Sequence, residues 1–251
     1  MKFLYPSSIN PHKPLFIYIP GMDGSGELFT SQKKIWDLYD VRCVCLDQEK
    51  QGWQELTEKL ITLIKNELQS RSNQTLYICG ESFGACLSLK LMSSISHLID
   101  RAILINCASA FRKRPLLNWG TYITAMMSDF IYEHSTLLLL PFLGKMSAIA
   151  SREQTLLLKV MKKVPPTIVS WRLSLLQNFK FPNLSTNPET LIIASTEDGL
   201  LPSVDEANQL EQRLHNSQIK ILPESGHCCL LEEQIDLWKI LNQGVSSRED
   251  K

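Results

Sequence analysis

Gly80-Glu81-Ser82-Phe83-Gly84 sets a serine between two glycines, and its flanks give that serine a chemistry. Leu76-Tyr77-Ile78-Cys79 reads as a short apolar strand and Ala85 to Met92 as a helix, so Ser82 falls on a sharp strand-to-helix turn. Such a turn strains the backbone and lifts the hydroxyl above the carboxyl end of the strand, where open α/β sheets bind ligands. A hydroxyl is a weak nucleophile until a base takes its proton. His227, in Pro223-Glu224-Ser225-Gly226-His227, follows a late strand and is placed to be that base. His97 lies behind the turn, His134 falls in an apolar insertion and His215 closes a surface helix.

The base needs a carboxylate to fix its tautomer. Asp198, in Ser195-Thr196-Glu197-Asp198-Gly199, follows the strand Thr190 to Ala194; its neighbour Glu197 is longer, sits one residue earlier and is the second choice. The equivalent position after the preceding strand reads Cys107-Ala108-Ser109 and offers no carboxylate. Acyl transfer also requires donors for a developing oxyanion. The backbone N–H of Phe83 is one candidate, and that of Met22, in Pro20-Gly21-Met22-Asp23-Gly24-Ser25-Gly26, is the other. Each feature also has a plain structural use: a glycine-rich turn at Ser82, an Asp-Gly turn at Asp198, a surface-loop histidine at His227. The first loop lacks the G-x-G-x-x-G spacing and no Gly-Lys-Ser/Thr follows, which argues against nucleotide binding.

These residues need a scaffold that brings distant segments to one rim. Strands are predicted at Phe16 to Ile19, Val41 to Leu46, Leu76 to Cys79, Ala102 to Asn106, Thr190 to Ala194 and Ile219 to Leu222. Several are continuously apolar, as parallel strands covered on both faces are. Trp53 to Gln69 carries Leu56, Leu60, Leu63, Ile64 and Leu68 at helical spacing. Ser203-Val204-Asp205-Glu206 has the form of a capping box and predicts a helix start. The alternation implies an α/β fold with an open, mostly parallel, doubly wound sheet. About eighty residues between Asn106 and Thr190 exceed a plain crossover. Of the 34 residues from Leu116 to Ile149, 20 are apolar, which marks this insertion as a cap. The expected division is a core of residues 1–109 and 186–243, a helical cap at 110–185 and a flexible tail at 244–251.

Composition removes other classes. The 251 residues hold 26 Lys+Arg against 26 Asp+Glu, so no net field gathers phosphates and nucleic-acid binding is not expected. The N-terminus has no secretory apolar stretch, and the longest nearly unbroken apolar run, Leu137 to Leu143, is too short to span a bilayer. Seven cysteines, an odd number scattered through strand-like runs, read as reduced thiols in a cytoplasmic protein. No CxxC or HExxH spacing occurs, and neither metal nor cofactor is expected.

The order serine, acid, histidine is that of the α/β-hydrolase superfamily. The chain resembles it, and more narrowly the hydrolase portion of the plant and cyanobacterial esterase/lipase/thioesterase group that includes phytyl ester synthases. The resemblance rests on PGMDGSGELF, GESFGACLSL, VPPTIVSWRLSLL, ASTEDGLLPS and SGHCCLLEE, and runs from about Phe16 to Leu241. It implies cofactor-free acyl-ester or acyl-thioester chemistry on lipids, with Ser82, Asp198 and His227 as the reacting set and Met22 and Phe83 as backbone donors. The plant synthases carry a further acyltransferase-like half, so hydrolysis is the expectation here. The expected substrate is a small-molecule ester or thioester with a hydrophobic acyl group. The cap would supply any peripheral membrane contact, with Arg112-Lys113-Arg114 read as a solvated basic turn. The rivals are acyl transfer to an alcohol, with the same residues, and a silent hydrolase-fold binding protein. The residues carry no signal for acyl length or oligomeric state.

Overall fold

A computed structural model describes residues 1–111, 144–184 and 186–243. Seven strands form one sheet in the order β1-β3-β2-β4-β5-β6-β7. They are β1 (Lys2–Leu4), β2 (Leu15–Ile19), β3 (Asp40–Cys45), β4 (Leu76–Glu81), β5 (Arg101–Ile105), β6 (Glu189–Ser195) and β7 (Ser217–Leu222). All neighbours run parallel except β1, which lies antiparallel to β3. The six strands read from the sequence are present with ends shifted by up to two residues. The three-residue β1 is additional, being too short to show a pattern. The helices are α1 (Lys33–Leu38), α2 (Trp53–Gln69), α3 (Phe83–Ile95), α4 (Ser151–Lys163), α5 (Pro166–Gln177), α6 (Ser203–Glu211) and α7 (Leu237–Gln243).

The alternation of side chains along a strand distributes β2 between two cores. Leu15, Ile17 and Ile19 join Leu56, Leu60, Ile64 and the buried residues of α3 on one face. Phe16 and Tyr18 join Ile35, Leu237 and Leu241 on the other, against α1 and α7. Helices therefore cover both faces of the sheet. Chain order reverses between β2 and β4, which places a crevice at their carboxyl ends. At the opposite end, Arg42 is fully buried and pairs with Asp40 at 2.6 Å and Glu67 at 3.0 Å, while Arg71 reaches Asp40 at 2.6 Å. Burial pushes the Asp40 carboxyl up, but the two guanidinium groups outweigh it and hold the carboxyl below its ordinary range.

Between β5 and β6 the described residues of the expected cap form the 3-10 turn Met146–Ala148, then α4 and α5. Pro166 opens α5, where its missing N–H costs no helical hydrogen bond. Leu157 and Val160 of α4 pack with Leu28, Cys228 and Leu231. Trp171 donates to the Gln51 carbonyl at 3.0 Å and Trp53 to the Leu175 carbonyl at 3.1 Å, so α5 is fastened to the start of α2. Arg112-Lys113-Arg114, His134, most of the apolar stretch from Leu116 and the tail from Gly244 lie outside the described residues. Among the described residues no helix is long and apolar enough to cross a membrane.

The capping-box reading of Ser203 is corrected. The helix forms, but Pro202 is its cap residue and no side chain caps it. Ser203 instead donates its hydroxyl to the Asp198 carboxylate, a charged acceptor stronger than a backbone carbonyl.

Candidate active site

Ser82 sits between the last residue of β4 and the first of α3 with φ 53 and ψ −111, a conformation that costs a non-glycine residue about 1–3 kcal/mol. The glycines around it are steric necessities. A Cβ on Gly84 would collide with the Ile19 carbonyl and lie 2.5 Å from that of Pro20. One on Gly80 would collide with Ser88 and lie 2.5 Å from the Gly84 carbonyl. Strand and helix thus approach closely enough to force the turn, and the Ser82 N–H donates to the Ile105 carbonyl at 2.9 Å.

His227 Nε2 lies 3.0 Å from Ser82 Oγ, and its Nδ1 lies 2.7 Å from Asp198 Oδ2. The ionised carboxylate only accepts, so Nδ1 carries the proton and Nε2 remains an acceptor for the Ser82 hydroxyl. Asp198 also accepts the N–H groups of Leu200 and Leu201, each at 2.9 Å, besides the Ser203 hydroxyl. Burial raises the Asp198 carboxyl, yet the charge and hydrogen bond of His227, with the Ser203 and Leu201 donors, outweigh it and hold the carboxyl below its ordinary range. Burial lowers His227, but the charge and hydrogen bond of Asp198, helped by Glu81, leave the imidazole raised. All three side chains sit in residues only 6–8% exposed, so solvent screens these interactions little. Glu197, the alternative acid, is exposed and lies 4.0 Å from Lys145.

The two candidate oxyanion donors come from the start of α3 and from the loop after β2. Phe83 is the first residue of α3, where N–H groups have no intrahelical acceptor. The loop after β2 lies against the serine: a Cβ on Gly21 would come 3.6 Å from Ser82 Cβ, and Met22 follows directly. A hydroxyl held by a base can attack a carbonyl carbon, and an oxyanion so formed needs backbone donors beside it. Among the described residues no three His, Cys, Asp or Glu side chains are grouped as metal ligands. All seven cysteines are free, and all but Cys45 are buried.

Several residues that the sequence reading passed over hold this arrangement. Asn106, at φ 42 after β5, donates Nδ2 to the His227 carbonyl at 2.7 Å and the Ser195 hydroxyl at 3.0 Å, and its Oδ1 accepts the Ser195 N–H at 2.9 Å. Buried Glu232 accepts the Gly226 N–H at 2.7 Å and the Ser225 hydroxyl at 2.6 Å. Together they fix the loop that presents His227. The available signal was an amide at a strand end and an acid within an apolar run, both of which also occur without function.

Glu81, the residue before the serine, is buried, and Tyr18 donates to it at 2.5 Å. Burial pushes its carboxyl to about 7, against the Tyr18 hydrogen bond and the charge of His227 and reinforced by Asp23 and Asp198. The sign of its effect on His227 follows. A charged Glu81 favours the imidazolium, so Glu81→Gln, which keeps the acceptor for Tyr18, is expected to lower the His227 midpoint. An NMR titration of the histidine ring protons measures this, and an unmoved or raised midpoint contradicts it.

No family model matches the chain. It is 27% identical over 256 residues to phytyl ester synthase 1 of Arabidopsis thaliana, covering 91% of this chain and 36% of the relative. For phytyl ester synthase 2 of the same plant the identity is 24% over 261 residues, covering 92% and 37%. The chain thus spans little more than a third of the length of the curated relatives it matches. An esterase from Exiguobacterium antarcticum superimposes with a TM-score of 0.76 at 14% identity, covering 98% of this chain and 93% of that one. The chain has the α/β-hydrolase fold and resembles the phytyl ester synthases.

Proposed function

We propose that this chain is a serine hydrolase that cleaves carboxylic esters or thioesters bearing a hydrophobic acyl group. The observation that carries the proposal is the continuous hydrogen-bond chain Asp198–His227–Ser82 on a serine held at positive φ. His227 Nε2 takes the Ser82 proton as Oγ bonds to the carbonyl carbon. The Phe83 and Met22 amides hold the oxyanion, Asp198 steadies the imidazolium, and the leaving group departs with the proton from Nε2. A water that His227 deprotonates then attacks the acyl-enzyme and releases the acid. The apolar composition of residues 116–149, 20 of 34, suits contact with a hydrocarbon chain. Burying such a chain contributes about 0.8 kcal/mol per CH₂. The free, mostly buried thiols suit a compartment that keeps cysteines reduced, in keeping with a cytoplasmic location. No partner beyond the ester or thioester is part of the proposal.

A second reading is favoured by the relatives, whose name is ester synthase: the same acyl-enzyme gives its acyl group to an alcohol instead of water. Product analysis separates the two. The chain is incubated with p-nitrophenyl esters of graded acyl length, with and without a long-chain isoprenoid alcohol. Free fatty acid as the main product in both conditions supports hydrolysis. A new ester formed at the expense of the acid supports transfer, and no turnover of any ester contradicts both. Turnover is expected to favour esters with a hydrophobic acyl chain over the acetyl ester.

A further inference from the structure

The loop after β2 is bracketed by glycines, and Gly24 at φ 64 and Gly26 at φ 70 occupy conformations other residues rarely adopt. A loop of that composition does not fix an N–H direction by itself. Gly24 donates to the Gly21 carbonyl at 3.1 Å and accepts from Leu46 at 2.8 Å, which anchors the loop's two ends. Met22, between them, is anchored from elsewhere. Arg172, in α5 and only 4% exposed, donates Nη1 to the Met22 carbonyl at 2.7 Å and Nη2 to the Asp47 carbonyl at 3.1 Å. Gly24 is what admits the guanidinium, because a Cβ there would lie 2.5 Å from Nη1 and 2.8 Å from Nη2.

We infer that Arg172 is a positioning residue for the oxyanion site: it locks the Met22 carbonyl, and through it restrains the adjoining peptide, whose N–H is the second donor of the proposed reaction. This rests on the hydrolase reading above. The Met22 N–H and C=O belong to peptide planes joined at one Cα; with the C=O held by Arg172, the N–H plane can turn only through Met22 φ and Gly21 ψ, and a non-glycine residue has few allowed φ values. The planar guanidinium joins two carbonyls from separate segments, which a lysine ammonium on a flexible stem does less rigidly. Because α5 is itself fastened through Trp171 and Trp53, the donor loop takes its geometry from the helix docked over it.

The test compares Arg172→Met, Arg172→Lys and Gly24→Ala with wild type in ester turnover and in inhibition by an aryl trifluoromethyl ketone. That ketone adds to a serine and places an oxyanion in the donor site. Concentrations are set by active-site titration, so misfolded protein does not count. For Arg172→Met, kcat is expected to fall about 10- to 100-fold and the ketone Ki to rise by a similar factor, because the donors point at charge that exists only after addition. KM should change by no more than about threefold, since ground-state contacts are kept. Arg172→Lys should recover part of both losses, and Gly24→Ala should resemble Arg172→Met by displacing the guanidinium. If Arg172→Met does not fold, the same paired change in kcat and Ki is read from Arg172→Lys. Unchanged kcat and Ki per active site in the variants that fold overturn the role of Arg172 alone. Failure of the ketone to inhibit wild type, with Ser82→Ala still active, overturns the hydrolase reading instead.

Discussion

Replacing Ser82 with alanine is expected to lower kcat for ester hydrolysis by roughly 10³-fold or more, with little change in stability. The size follows from the role: without Oγ no acyl-enzyme forms, and what remains is binding plus the backbone donors. The hydroxyl's hydrogen bond to His227, at 3.0 Å, is one neutral bond worth about 1 kcal/mol. For a chain of this size that corresponds to roughly 2–4 °C in thermal midpoint. Activity and melting should therefore separate. Turnover within about tenfold of wild type would defeat the nucleophile assignment.

Asp198→Asn carries the second large effect, and the geometry gives its cause. The Leu200 and Leu201 N–H groups both point at Oδ1, so an asparagine keeps its carbonyl oxygen there and turns its NH₂ toward His227 Nδ1. Nδ1 must then accept, the ring proton moves to Nε2, and Nε2 no longer receives the Ser82 proton. A wrong-tautomer histidine in serine triads costs about 10⁴-fold in kcat, and a loss of roughly 10³- to 10⁴-fold is expected here. Loss of the carboxylate also removes the main charge that raises the imidazole, so the His227 midpoint should fall. Measured kcat together with ring-proton titration checks both parts. A variant that keeps wild-type kcat contradicts the assignment of Asp198. The wild-type carboxyl, held below its ordinary 3.8, stabilises the fold above that pH, and this contribution is lost as pH falls through its folded value.

Much of the scaffold was legible because it depends on short-range pattern. Short apolar runs such as Phe16 to Ile19, flanked by Pro14 and Pro20, read as strands buried on both faces, and Leu56, Leu60, Ile64 and Leu68 mark one face of α2. Ser82, Asp198 and His227 each follow a strand, and strands β4, β6 and β7 of a parallel sheet end at one rim. Their convergence follows from chain order and needs no distance information. The supporting bonds were not legible, since they join a side chain to a backbone atom far along the chain. Arg172 meets Met22 across 150 residues and Asn106 meets His227 across 121. Neither carbonyl has a residue type to announce it. Tyr18 was hidden in an apolar strand, and Glu81 stood in the Ser82 motif with nothing to announce its partner; only the fold pairs them. Ser203 was misread because its hydroxyl suits a helix cap and an acidic acceptor equally, and the choice is made by the approach of Asp198 in space.

The central claim is that the Ser82 oxygen is made nucleophilic by His227, and covalent labelling addresses it without knowledge of the natural substrate. The chain is treated with a fluorophosphonate, digested, and the modified residue located by mass spectrometry. A single adduct on Ser82, formed rapidly in wild type and slowed about 10³-fold or more in His227→Ala, is the result this account predicts. A fold-intact wild-type protein that takes no label on Ser82, or takes it equally fast without the imidazole, would contradict it.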